Sequence, residues 1–101
     1  MNKRAIVKIC WLLQQENGRA TIPVSNKYAP IIKVINNPFK QNESWSVFVN
    51  NRYFCNDKET LAEMCFLSEN APIELEADME FELYEGIKLV AKGIVLFIIS
   101  E

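Results

Sequence analysis

Strict alternation of apolar and polar residues is the feature of this sequence that most constrains its fold. In residues 79–83, Met, Phe and Leu alternate with two glutamates. Successive side chains of a strand point to opposite faces, so this pattern predicts one buried face and one solvated face. The N-terminal segment alternates in the same way, with one face carrying Ala5, Val7, Ile9, Trp11 and Leu13, and the other Arg4, Lys8 and Gln14. Both segments favour a β fold.

Further short strands are predicted along the chain, separated by turn residues. The candidates are residues 22–24, 29–35, 44–50, 61–67 and 88–100, with turns at 16–18, 36–38, 50–51 and 68–72. Residues 58–67 also contain good helix formers, but we interpret them as a strand. This spacing predicts an all-β fold, a single closed antiparallel β-barrel of about six or seven strands over residues 1–101. We expect the first strand, residues 4–13, to close the barrel against the last.

Two glycines have specific expected roles in this barrel. Gly86 follows Glu85 between two strand segments, where a hairpin turn requires a positive φ. Gly93 interrupts the last strand, which indicates a bulge or a close backbone approach.

The composition is that of a folded protein with one domain. The chain has 101 residues, of which 50% are hydrophobic and 24% are charged, enough for a modest core. Its longest apolar run, residues 93–99, is far shorter than the roughly 20 residues of a membrane helix. Residues 1–13 lack the cleavage site of a signal peptide. We therefore expect a cytoplasmic protein that does not bind membranes.

The residues that usually carry catalysis are scarce. The chain contains no His, the commonest general base and zinc ligand. Its three cysteines, Cys10, Cys55 and Cys65, are widely spaced, and we expect reduced thiols packed among apolar neighbours. Because no nucleophile lies in a recognisable catalytic pattern, we predict a protein that is not an enzyme and has no cofactor or metal.

The C-terminal segment resembles the closing hairpin of a known barrel domain. Residues 79–95 alternate and then continue through Glu-Gly, a short turn and Val-Ala-Lys-Gly-Ile-Val. The matching positions are Phe81, Leu83, Glu85, Gly86, Val90, Gly93 and Val95. Together with Ile-Pro-Val at 22–24 and Tyr-Ala-Pro at 28–30, this pattern resembles the C-terminal domain of elongation factor Tu. The resemblance implies a stand-alone barrel that docks protein or RNA, without the GTPase domain of that family.

Acidic residues concentrate in the second half of the chain. Residues 1–58 contain nine basic and three acidic residues, whereas residues 59–101 contain two basic and ten acidic ones. The predicted partner-binding residues on the outer face of one strand are Glu74, Glu76, Asp78, Glu80, Glu82 and Glu85. Such a face suits a basic protein. We predict a protein-binding module, specifically a bacterial immunity or antitoxin protein that neutralises a toxin. The alternative for these acids is a solubilising exterior.

The basic half of the chain suggests a different partner. A translation-associated module could contact tRNA phosphates through Lys27, Lys33, Arg52 and Lys58. Neighbouring aromatic residues could stack on unpaired bases. Trp45, however, shares a predicted strand face with Val47 and Val49, so we expect it in the core.

The last predicted strand is apolar on both faces after Gly93. We expect a loop to cover its outer face, because strands buried on both sides have this pattern. The alternative is an exposed apolar strip used for dimerisation or partner binding.

Overall fold

A computed structural model describes residues 4–12, 21–24, 27–35, 45–68 and 74–99. Within these ranges the chain forms strands and turns, without a helix. The strands are β1 (Arg4–Trp11), β2 (Ile31–Val34), β3 (Trp45–Phe54), β4 (Glu59–Phe66), β5 (Glu80–Glu85) and β6 (Lys88–Ile99). Residues 58–67 therefore contain a strand rather than helical turns, as predicted.

The six strands form a closed antiparallel barrel in the order β1-β4-β3-β2-β5-β6. The predicted closure is confirmed, because β1 pairs with β6 from Arg4 opposite Ile99 to Trp11 opposite Ala91. Strand β1 also pairs with β4 on its other side. Strand β1, with Arg4 and Lys8, thus lies between the largely apolar β6 and β4, which carries Glu59 and Glu63.

Alternation places one face of each strand inside the barrel. The fully buried core residues include Ala5, Val7, Ile9, Trp11, Val47, Val49, Phe81, Leu83, Val90 and Val95. Trp45 is partly buried and packs against this core, as predicted. Burying these side chains supplies the main favourable free energy of folding, at roughly 25 cal/mol per Å² of apolar surface.

A buried hydrogen-bonded chain crosses the barrel interior. Trp11 Nε1 donates to Thr60 Oγ1 at 3.0 Å, and Thr60 Oγ1 donates to Asn51 Oδ1 at 2.6 Å. Asn51 Nδ2 then donates to the carbonyl oxygen of Pro23 at 2.8 Å. These bonds satisfy polar groups whose burial without a partner would be costly, and they hold residues 21–24 against β3.

Two predicted local structures are wrong. Residues 22–24 form no strand; the segment is held by the Asn51 side chain rather than by a ladder of backbone bonds. Asn50 and Asn51 were predicted as a turn but lie inside β3. The actual turn follows at Asn56, whose Oδ1 accepts hydrogen bonds from the backbone N–H groups of Lys58 and Glu59. This side-chain turn makes the tight connection from β3 to β4.

The predictions for both glycines are confirmed. Gly86 has a φ of 63° in the two-residue turn between Glu85 and Lys88. A Cβ on Gly93 would lie 2.4 Å from Phe81 Cζ and 2.8 Å from the carbonyl oxygen of Lys8. Gly93 therefore allows the close approach, whereas the irregularities of β6 fall elsewhere.

The predicted packing of the cysteines is wrong for Cys10 and Cys55, which are exposed, while Cys65 is partly covered. Cys10 and Cys65 occupy the outward positions of β1 and β4, so their apolar neighbours in sequence point to the opposite face. All three are free thiols, as expected.

In the part of the chain that the structure describes, no helix has the length and hydropathy needed to cross a membrane.

Candidate interaction surface

Two large aromatic side chains are exposed on the outer side of β3. Phe48 is 41% exposed and lies opposite Cys65, and Tyr53 is 62% exposed and lies opposite Leu61. A bulge between Asn51 and Tyr53 keeps Tyr53 directed outward. We call Phe48, Tyr53 and Leu61 the aromatic face. Phe54 is also exposed, but it lies at the end of the strand opposite the buried Thr60.

A carboxylate with two arginine partners lies between Phe48 and Tyr53 in the strand register, within the aromatic face. Glu63 Oε1 accepts a hydrogen bond from Arg4 at 3.1 Å, and Glu63 Oε2 lies 2.7 Å from Arg52. Glu63 is opposite Asn50 on β3 and Ile6 on β1. These three side chains therefore connect β1, β3 and β4. The carboxylate of Glu63 balances part of the positive charge of the two arginines.

The four residues predicted to contact RNA do not form a free basic patch. Arg52 is bound to Glu63. Lys33 lies opposite Glu82 on β5, and its Nζ is 4.7 Å from the centre of the Tyr84 ring. Lys27 precedes β2 and Lys58 lies in the turn after β3, so the set is spread over separate elements.

The predicted acidic residues are divided between a strand and the segment before it. Glu80, Glu82 and Glu85 belong to β5, whereas Glu74, Glu76 and Asp78 precede it. The expectation of one continuous strand face is therefore wrong. A turn separates the two groups: the N–H of Met79 bonds to the carbonyl of Glu76, and Asp78 has a φ of 69°.

The two β5 acids nearest the turn to β6 are engaged within the barrel. Glu82 lies between Lys33 and Lys92 in the strand register and accepts a 2.8 Å hydrogen bond from the Tyr84 hydroxyl. This hydrogen bond, with partial burial and the charge of Glu82, raises the pKa of Tyr84. Glu85 accepts a 2.5 Å hydrogen bond from the Tyr28 hydroxyl. Lys33 and Lys92 thus make the surface around Glu82 one of mixed charge.

The outer face of β6 is exposed at Leu96 and Phe97, so the expectation that a loop covers it is wrong there. Leu96 is 40% exposed and Phe97 is 54% exposed. Ile6 pairs with Phe97 while Val7 pairs with Val95, which leaves Leu96 as an extra, bulged residue. The bulge explains why two consecutive apolar residues are exposed. The sequence indicates this bulge only weakly, through a run of consecutive apolar residues that is longer than the burial of one strand face requires.

Cys65, the partly covered thiol, lies opposite Phe48 in the aromatic face. Burial raises its pKa, the nearby Arg4 lowers it, and Glu63 raises it again. A raised pKa reduces the reactive thiolate fraction, so Cys65 has no feature of an activated nucleophile.

Among the residues that the structure describes, no three His, Cys, Asp or Glu side chains are grouped to hold a metal ion.

No protein-family model matches this sequence, and a search of the curated proteins finds no relative.

Proposed function

We propose that this chain is a non-catalytic protein-binding module that contacts its partner through the aromatic face. The observation that carries the proposal is the exposure of Phe48 and Tyr53 on the outer side of β3. Aromatic residues and arginine are enriched in protein interfaces, and they supply most of the binding free energy there. Arg52 lies next to Tyr53 in the chain and pairs with Glu63, which adds a polar contact between the two aromatic side chains.

The charges around this face favour a protein over a nucleic acid. Nucleic-acid binding draws its affinity from several cationic side chains that neutralise phosphates. Here Arg4 and Arg52 share the carboxylate of Glu63, and Lys8 lies 3.9 Å from Glu59. A phosphate backbone would have to compete with these carboxylates, whereas a partner with mixed charges would not.

Within this class we favour the toxin-neutralising role that the sequence analysis predicts. A small barrel without His suits a protein that acts by covering another protein's surface. The free thiols of Cys10, Cys55 and Cys65 support a reducing, cytosolic setting. The resemblance to the elongation factor Tu barrel remains a prediction. It is consistent with a docking role, because a fold by itself supplies no catalytic activity.

Affinity capture from lysate of the native host tests the proposal. The bait is the full chain, compared with the double variant Phe48→Ser/Tyr53→Ser, and both retained protein and retained RNA are measured. We expect one stoichiometric protein to bind the unaltered chain and to be reduced at least about tenfold on the double variant, as for loss of interface anchors.

The matched control is Ile87→Ser. Ile87 is fully exposed in the turn between β5 and β6, away from β3 and β4 in the strand order. This variant should retain the partner as well as the unaltered chain does. Retention of RNA alone, retention of no stoichiometric protein, or equal loss on both variants would contradict the proposed function.

A further inference from the structure

A row of three outward side chains crosses β1, β6 and β5. Lys8 lies opposite Ile94, and Ile94 lies opposite Glu80. Lys8 and Glu80 are exposed, and Ile94 is partly exposed. In order across the barrel wall, the row is therefore positive, apolar and negative.

Apolar side chains extend the centre of this row along the barrel. Ile6 and Phe97 lie opposite each other on β1 and β6, one outward position from Lys8 and Ile94 respectively. Leu96, the bulged residue, lies between Ile94 and Phe97 along β6 and is also exposed. We call Ile6, Ile94, Leu96 and Phe97 the apolar strip. An exposed apolar strip with charged borders is typical of an interaction site.

The two borders of the apolar strip carry opposite charges. Arg4 and Lys8 are outward on the β1 side, and Glu63 and Glu59 of β4 contact them from the side away from the apolar strip. Glu80 lies on the β5 side, and the N–H of Asp78 bonds to the carbonyl of Val95, which places Asp78 along the same border. A partner of a single charge sign would therefore match only one of the two borders.

We propose that the apolar strip binds a second copy of this chain around a two-fold axis. An axis that passes in front of Ile94, parallel to β6 and tangent to the barrel wall, turns the two walls to face each other and places the β1 border of one copy against the β5 border of the other. Lys8 then faces Glu80 of the partner subunit, and Glu80 faces Lys8 of the partner subunit. The same surface is thus complementary to itself, as an isologous interface requires. This dimer goes beyond the proposed function and leaves Phe48 and Tyr53 on β3 accessible.

Sedimentation velocity over a concentration series tests the dimer. We expect the full chain to shift with concentration to about twice its 11.7 kDa mass. Lys8→Glu and Glu80→Lys should each weaken self-association roughly tenfold or more, because each places two pairs of like charges in the interface. An equimolar mixture of these two variants should restore association, and so should the double variant Lys8→Glu/Glu80→Lys.

Two further variants complete the design. Lys58→Glu makes the same change of charge in the turn between β3 and β4 and should leave self-association unchanged. Phe97→Ser should weaken it without changing net charge. A chain that stays monomeric, a dimer that neither single variant weakens, or single variants that no mixture rescues would overturn the proposal. None of these results depends on whether the aromatic face binds a protein.

Discussion

Gly93 lies where the barrel has no room for an added methyl group. A methyl group there would overlap the Phe81 ring and the backbone oxygen of Lys8, at 2.4 and 2.8 Å. The backbone cannot move away without disturbing β1 or β5. We expect Gly93→Ala to lower the free energy of unfolding by about 1–3 kcal/mol, the usual cost of overpacking, measured by urea denaturation.

The control for this prediction is Gly86→Asn. No atom lies within 4 Å of a Cβ at Gly86, and asparagine tolerates its φ of 63° better than most residues. This variant should cost less than Gly93→Ala. Equal stability of Gly93→Ala and the unaltered chain would show that β1, β5 and β6 do not approach each other this closely.

Thr60 tests the buried hydrogen-bonded chain. Thr60→Val keeps the shape of the side chain but leaves Trp11 Nε1 and Asn51 Oδ1 without their partner. An unsatisfied buried polar group costs roughly 1–3 kcal/mol, so the free energy of unfolding should fall by at least that amount. Thr60→Ser retains the hydroxyl and should recover part of the loss. Thr60→Val as stable as Thr60→Ser would contradict the bonding described here.

Cross-strand charge pairing acts at the scale of whole elements. Glu63 joins β4 to Arg4 on β1 and Arg52 on β3. Glu63→Gln should lower the free energy of unfolding by about 1 kcal/mol or less, since these groups are partly exposed. The difference should disappear in about 1 M NaCl, where the screening length is about 3 Å. An exposed control, Glu76→Gln, should have a smaller effect at low salt. A loss from Glu63→Gln that persists at high salt would refute an ionic contribution.

Sequence patterns predicted the elements well where one face is buried. Strands β1 and β5 follow from alternation, because each inward position is apolar and most outward positions are polar. The pattern could not reveal the bulge at Leu96, which depends on the register between β1 and β6. It also could not show that the basic β1 pairs with β4, which brings Arg4 to Glu63. Basic and acidic residues are therefore separated along the chain but lie next to each other on the barrel surface.

The candidate site was predictable only in part for the same reason. Phe48 and Tyr53 belong to an aromatic segment that the sequence marks, but the exposure of Tyr53 depends on the bulge within β3. Glu63 carries no local signal, since its role comes from partners 59 and 11 residues away in the chain.

At the scale of the whole molecule, closure of the barrel should distribute stability unevenly. Strand β1 pairs along most of its length with both neighbours, whereas β2 has four residues and pairs with β3 at only two positions. Amide hydrogen exchange should therefore be slowest in β1 and β4 and faster in β2. Hydrogen exchange on the intact chain, followed by digestion and mass spectrometry of the peptides, would measure this difference. Equal protection in β1 and β2 would contradict the predicted order.

The most direct test of the account is hydroxyl-radical footprinting of the complex between this chain and the protein it captures. Oxidation of each side chain in the complex is compared with its oxidation in the chain alone. We predict strong protection of Phe48 and Tyr53, with Ile87 oxidised equally in both states because it lies in the turn between β5 and β6. Unchanged oxidation of Phe48 and Tyr53 in a stoichiometric complex would show that the aromatic face is not the binding surface.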